Sequence, residues 1–320
     1  MDIIFFGTPE YVVPIFEHLL KEKNVVCVVT RSDKPSGRHF HFIPSPIKKI
    51  AIEKNIPVIT PESLNDRDFI TQLSTVNSQL GIVTAYGKIL PKEVLDIFPF
   101  GCVNLHFSLL PKYRGAAPIQ WAIINGESET GVSSFFMDEG LDTGKIIFQK
   151  KIEIGRDDDT LSLQKKLIPV AIQVLDETLS KVAIGEKGAA QVGSPTYAPP
   201  LKKEDGKINW DKPVNEIYNL IRGTKPWPNA YTAIKNDAML KLKMKNLKII
   251  DAEILPSFNL SISQSCPAGS IVSIPKNIGF VVKCNPGFLL VKTIQPASKN
   301  VMSAWSFLLG HKLAIGEKLY

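Results

Sequence analysis

Three side chains have types and spacing suited to proton transfer. Asn104 and His106 sit two residues apart in NLHFSLLP, and Asp142 follows in the glycine-bounded segment EGLDTG. Side chains of a strand alternate faces, so Asn104 and His106 point the same way. An amide N–H can stabilise an oxyanion, an imidazole can carry a proton, and a carboxylate can orient the imidazole. Gly140 and Gly144 let the Asp142 loop turn tightly toward a ligand. Asparagine and histidine at a strand end also serve as plain caps for backbone groups. The presence of all three favours chemistry. No GxSxG elbow and no activated cysteine context accompanies them. Direct attack by a substrate nucleophile therefore fits better than a covalent enzyme intermediate.

The elements that must position these groups can be read on either side of them. IIFF at 3–6 ends at Gly7-Thr8-Pro9-Glu10, which predicts a buried strand, a turn and a helix start capped by Thr8 with Pro9 first in the helix. Val12, Val13, Phe16, Leu19 and Leu20 then follow helical spacing. VVCVVT at 25–30 is a second buried strand. Helices are expected near 45–55 and 65–75, with strands at 57–59, 79–86 and 101–107. AAPIQWAIING reads as a helix and TGVSSFFM as a strand. Continuous apolar strands alternating with amphipathic helices predict an α/β, Rossmann-like domain with a mostly parallel sheet. Ligands bind such sheets beyond the strand carboxyl ends, where Asn104 and His106 fall. The first turn reads GTPEY rather than GxGxxG, which speaks against a nicotinamide enzyme.

Composition changes around 188–206, a Gly-, Pro- and Lys-rich stretch read as an interdomain linker. It separates a catalytic domain at 1–187 from a smaller domain at 207–320. In the latter, 210–223 reads as one helix ended by a glycine. Short segments with turn signals follow, among them Asn285-Pro286-Gly287 as a hairpin turn, and predict a small β-barrel.

The 320-residue chain is 44% hydrophobic and 22% charged, enough to bury a real core. Its net charge of +7 is compatible with a polyanionic partner and excludes nothing by itself. Cys27, Cys102, Cys266 and Cys284 form no CxxC pair, and no histidine spacing matches a metal motif, so no metal is expected. His39 and His41 read as a surface loop pair. The start MDIIFFG lacks a basic n-region and no apolar run reaches about 20 residues, so a soluble, cytoplasmic protein is expected.

NLHFSLLPKYRGAAP followed by GLDTG resembles the 10-formyltetrahydrofolate-dependent formyltransferases. FFGTPEYVVP at 5–14, the PSPIK loop, AYGKILP at 85–91, KEDGKINW at 203–210, LIRGTKPWPNAYT at 220–232 and MSAWSFLLGHKL at 302–313 extend the resemblance end to end. They point to the branch acting on initiator methionyl-tRNA. The resemblance implies a Rossmann-like catalytic domain plus an OB-like carboxyl-terminal barrel. It implies formyl transfer from 10-formyltetrahydrofolate to the amino group of tRNA-bound methionine, by a monomer. It makes Asn104, His106 and Asp142 the catalytic trio, and Ser108, Leu109, Leu110 and Pro111 the lining of the folate site.

In the loop KPSGRHFHFIPSPIKK at 34–49, Arg38 matches the arginine that reads the end of the acceptor stem, and Lys34, Lys48 and Lys49 can neutralise phosphates. His39, Phe40 and His41 stand where the family pattern continues with a glycine and two lysines. Lys241, Lys243 and Lys245 share one strand face, which is either a solvated face or a track for a phosphate backbone. Phe107 stands where relatives carry a small residue or proline. A formyltransferase for a small amine is one rival, opposed by the loop and the second domain. A non-catalytic RNA-binding protein on the same scaffold is another, opposed by the intact trio.

Overall fold

The computed structural model describes residues 1–36, 41–234, 246–255, 266–311 and 313–320. Two compact units emerge. The first comprises Met1–Pro118, Glu129–Glu153 and Leu163–Pro200, and the second Ile119–Ser128, Ile154–Ser162 and Leu201–Tyr320.

The first unit holds β1 (Asp2–Gly7), β2 (Asn24–Val29), β3 (Lys34–Ser36), β4 (His41–Ile43), β5 (Val58–Ile59), β6 (Leu80–Thr84), β7 (Cys102–His106), β8 (Glu129–Phe136) and β9 (Ile146–Glu153). Seven of these form one sheet in the order β5-β2-β1-β6-β7-β8-β9, while β3 and β4 pair as a separate hairpin. Pairing is parallel from β5 to β7 and antiparallel between β7 and β8 and between β8 and β9. Ile3, Ile4, Phe5 and Phe6 are wholly buried, as a strand covered on both faces requires. Ile4 and Phe6 pack with Cys27, Val29 and Val83 on one face. On the other, Phe5 stacks on Phe16 at 4.7 Å.

Helices α1 (Val13–Glu22), α2 (Pro46–Glu53), α3 (Arg67–Thr75) and α4 (Lys92–Leu95) connect the parallel strands. The first begins later than the sequence predicts. Pro9 is extended, a 3-10 turn spans Glu10–Val12, and no side chain caps either start. A helix begun at Pro9 would carry Pro14 in its interior, without an N–H for the i−4 carbonyl. Starting at Val13 places Pro14 in the first turn, where that N–H is not needed. Along the chain follow α5 (Pro118–Ile124) and α6 (Thr160–Ala183).

The second unit contains α7 (Val214–Gly223), β10 (Tyr231–Ala233), β11 (Asn246–Leu255), β12 (Ile271–Ser273), β13 (Phe280–Cys284), β14 (Gly287–Pro296), β15 (Met302–Ser303) and α8 (Ala304–Gly310). Its sheet is antiparallel, ordered β10-β11-β14-β13-β12, with β15 beside β14. Residues 317–320 join its two edges: Lys318 bridges Ser270 just before β12, and Leu319 bridges Ile234 just after β10. The expected barrel is closed by this segment around Ile249, Phe280, Leu289 and Val291. Cys284 pairs with Gly287 across the predicted hairpin turn.

Helix α7 is shorter than the predicted 210–223, because Pro213 sets its start. Gly223 lies inside its last turn. A Cβ there would come within 2.6 Å of Ile124, so this glycine permits close packing and is no left-handed cap.

Candidate active site

The β1–β6–β7 register places Gly7 beside Thr84 and Val83 beside Asn104, so Asn104 and His106 lie at the carboxyl edge of the parallel strands. His106 is 6% exposed, Asn104 is half-buried, and Leu105 between them is buried. The alternation is as predicted. Among the described residues, no hydrogen bond engages the Asn104 side-chain amide.

His106 is held by a backbone group seven residues on. Its Nε2 lies 2.8 Å from the carbonyl oxygen of Tyr113. A carbonyl only accepts, so Nε2 carries a proton and the other nitrogen faces the site. That nitrogen, Nδ1, is 3.7 Å from Asp142 Oδ2. The approach is electrostatic and too long for a hydrogen bond. Asp142 Oδ2 accepts its hydrogen bond from the Gly115 N–H at 2.7 Å.

Local backbone shape makes this possible. Tyr113 (φ 60°) and Asp142 (φ 52°) are both left-handed, and Gly115 has φ 124°. Aspartate tolerates that region; for tyrosine it costs roughly 1–2 kcal/mol. The strain is held by a strap formed by residues 189–198. Thr196 Oγ1 accepts from the Tyr113 N–H at 2.9 Å, and the Arg114 N–H donates to the Thr196 carbonyl at 2.9 Å. The Ala198 N–H donates back to the Arg114 carbonyl at 2.7 Å. A Cβ on Gly115 would sit 2.7 Å from the Ala198 carbonyl oxygen. A Cβ on Gly144 would collide with the carbonyl of Phe136, which is why the loop carrying Asp142 ends in glycine.

The turn after His106 is fixed from β8 and β9. Ser133 Oγ donates to the Ser108 carbonyl at 2.5 Å and accepts from the Leu110 N–H at 3.1 Å and Gln149 Nε2 at 2.7 Å. Ser108, Leu110 and Pro111 are themselves buried, with Ser108 Oγ donating to the Lys112 carbonyl at 2.6 Å. Only Leu109 of these four is partly exposed. The stretch therefore offers backbone and one leucine to a ligand, not four side chains. Leu141, next to Asp142, is an apolar side chain left 46% exposed.

Phe107 turns inward. It is 4% exposed and meets Tyr11 edge-on, with ring centroids 5.6 Å apart. Burial pushes the Tyr11 phenol up to about 12, so it stays neutral beside the site. A cavity of about 580 Å³ in the same unit is lined by Lys92, Phe98, Cys102, Phe136 and Met137, and holds none of the trio.

The sequence reading missed Tyr113, Gly115, Ser133, Gln149 and Gln191. Two adjacent serines in a buried strand, Ser133 and Ser134, were a usable signal, since buried hydroxyls need partners. The strap was not legible, because it reaches the turn from about 80 residues away.

The formyl transferase family profile matches residues 1–179 and the formyl transferase C-terminal domain profile residues 200–312. The chain is 44% identical to the methionyl-tRNA formyltransferase of Thermodesulfovibrio yellowstonii, over 98% of this chain and 97% of that one. The chain belongs to the methionyl-tRNA formyltransferase family. The same-named protein of Caldanaerobacter subterraneus subsp. tengcongensis is 42% identical over the whole of both chains. Among solved structures, the sugar 3N-formyl transferase WlaRD superposes with a TM-score of 0.64 at 22% identity, covering 94% of this chain and 99% of that one. HypX from Aquifex aeolicus, crystallised with tetrahydrofolic acid, gives 0.61 at 12% identity, covering 96% of this chain and 46% of that one. These two likenesses establish the formyltransferase fold.

The residues expected to meet nucleic acid are distributed as follows in this methionyl-tRNA formyltransferase family member. Lys34 lies in β3, paired with Ile43 of β4. Lys48 Nζ is 2.7 Å from Asp33 Oδ2, whereas Lys49 is exposed on α2. Arg38, Lys241, Lys243 and Lys245 lie outside the described residues. Among the described residues, no cluster of metal-binding side chains occurs and no helix is long and apolar enough to cross a membrane.

Proposed function

We propose that this enzyme transfers the formyl group of 10-formyltetrahydrofolate to the free amino group of methionyl-initiator tRNA. The observation that carries the reading is full-length agreement, at 41–44% identity, with relatives named methionyl-tRNA formyltransferase. The donor supplies an activated formyl carbon. The surface around Asp142 suits it: an unengaged amide at Asn104, backbone at 108–111 and the exposed apolar Leu141.

The chemistry we assign to the trio is supported by the following contacts. The amine nitrogen attacks the formyl carbon, giving a tetrahedral species with an oxyanion. Asn104 Nδ2 is the free donor for that oxygen. His106 presents Nδ1, because Nε2 is committed to Tyr113. Asp142, fixed by the Gly115 N–H, faces Nδ1 across 3.7 Å and orients the ring. The bond to the folate N10 then breaks, and N10 receives the proton that the amine gives up. Ser108, Leu109, Leu110 and Pro111 wall the donor side. Arg38, Lys34, Lys48, Lys49, Lys241, Lys243 and Lys245 are assigned to the tRNA.

The test offers purified enzyme and 10-formyltetrahydrofolate three acceptors: methionyl-initiator tRNA, free methionine and a nucleotide-linked amino sugar. Formylation of the tRNA-bound methionine alone is expected. Preferential formylation of the sugar amine would overturn the reading.

A further inference from the structure

We propose that Gln191 is a positioning residue for formyl transfer, locking the Asp142 loop to the turn that holds His106. It lies in the strap, far from the motif residues in sequence. Its carboxamide uses all of its bonding capacity between two loops. Oε1 accepts from Arg114 Nε at 3.2 Å and from a terminal Arg114 nitrogen at 2.6 Å. Nε2 donates to the carbonyl oxygens of Asp142 at 2.7 Å and Gly144 at 2.9 Å.

The two loops so joined are the ones that orient the reactive pair. Arg114 stands between Tyr113, whose carbonyl holds His106, and Gly115, whose N–H holds Asp142. Gln191 fixes the backbone of Asp142 from the far side, where its left-handed φ of 52° needs support. The hydrogen bond from Gln191 reaches Asp142 at its main-chain carbonyl, so Gln191 acts through that residue.

The side-chain type is specified by the chemistry. The site needs an acceptor for two guanidinium N–H groups and two N–H donors for two carbonyls. Glutamate supplies no donor, lysine no acceptor, and asparagine is one methylene short. Gln191→Glu keeps the shape and the Arg114 contact but aims a carboxylate oxygen at two carbonyl oxygens. Gln191→Met keeps the bulk and removes both sets of bonds.

This inference rests on the formyl-transfer reading, but one of its readouts does not need the acceptor. Enzyme labelled with ¹⁵N-histidine is titrated by NMR as wild type, Gln191→Glu and Gln191→Met, with the His106 signals assigned by their loss in His106→Gln. Turnover and Michaelis constants are measured in parallel. Displacement of the loop should lower kcat by roughly 10- to 100-fold with Michaelis constants changed less than about threefold. The His106 titration midpoint should move in both variants, with melting temperatures near wild type. Unchanged kcat and an unchanged His106 titration in folded variants would overturn the proposal, as would a rise in Michaelis constant alone. If the Gln191 variants fail to fold, Arg114→Met opens the clamp from its other end and is read by the same two criteria. A wild type that does not formylate methionyl-tRNA would refute the substrate reading, while the His106 titration would still decide the role of Gln191.

Discussion

His106 and Asp142 are held by opposite-facing backbone groups of a single turn. The Tyr113 carbonyl accepts a hydrogen bond from His106 Nε2, and the Gly115 N–H, two residues later, donates one to Asp142 Oδ2. The 3.7 Å between Nδ1 and Oδ2 is therefore set by backbone, not by a direct bond between the side chains.

Removing the carboxylate should affect chemistry more than binding. Asp142→Asn leaves an acceptor for the Gly115 N–H but removes the charge beside Nδ1. Turnover is expected to fall by about 10²–10⁴-fold, the range for a positioned proton-transfer group. The dissociation constant of the folate donor, measured by fluorescence quenching, should change little. Loss of folate binding with normal single-turnover chemistry would contradict the role.

Asn104→Ala tests the oxyanion donor. One donor lost from such a site costs roughly 10²–10³-fold in kcat. Because no described residue bonds the Asn104 amide, the fold should lose little stability. The check is kcat alongside a thermal melt.

Gly115→Ala should fail differently. Its φ of 124° is unfavourable for any side chain, and its Cβ would press on the Ala198 carbonyl. A loss of about 1–3 kcal/mol in denaturant unfolding is expected, together with reduced turnover as the N–H leaves Asp142. Wild-type stability would mean that the strap yields freely.

Alkaline pH should destabilise the protein through buried acids. Burial pushes Tyr11 and Tyr86 from 10.0 to about 12, Cys27 from 9.0 to about 11 and Cys284 from 9.0 to about 12. Each is held neutral when folded, so the unfolded chain releases its protons first. Their contribution is intact below about pH 9 and is lost as pH rises from there to about 12. Melts from pH 8 to 11 should show the fall, and Tyr86→Phe should lessen it. The Tyr86 hydroxyl has no partner among the described residues, so that change should cost little at neutral pH.

The tRNA assignments predict graded effects. Lys49→Ala should lower the salt slope of tRNA binding by about one, as expected for one phosphate contact. Lys48→Ala should do less, because Lys48 is already paired with Asp33. Arg38→Ala should raise the Michaelis constant for charged tRNA. Equal salt slopes for all variants would remove this segment from the interface.

The parts legible in the sequence were those written in local pattern. Alternation put Asn104 and His106 on one face, and glycines marked the Asp142 loop. Buried apolar runs located the parallel sheet. What supports the site was written across long separations. Thr196 and Gln191 reach the 113–115 turn over 83 and 77 residues, and no periodicity carries such a pairing. Phe107 looked misplaced beside His106, yet it is buried edge-on against Tyr11. The late start of α1 was decided by Pro14, a residue inside the apolar helical pattern rather than at its edge.

The proposed chemistry has His106, with Asn104 and Asp142, promoting formyl transfer to the amino group of tRNA-bound methionine. The most direct test is single-turnover transfer of labelled formyl from 10-formyltetrahydrofolate to saturating methionyl-initiator tRNA by wild type and His106→Ala. Label is expected on the methionine nitrogen, at a rate at least about 10²-fold lower in the variant. A His106→Ala rate close to wild type would contradict it.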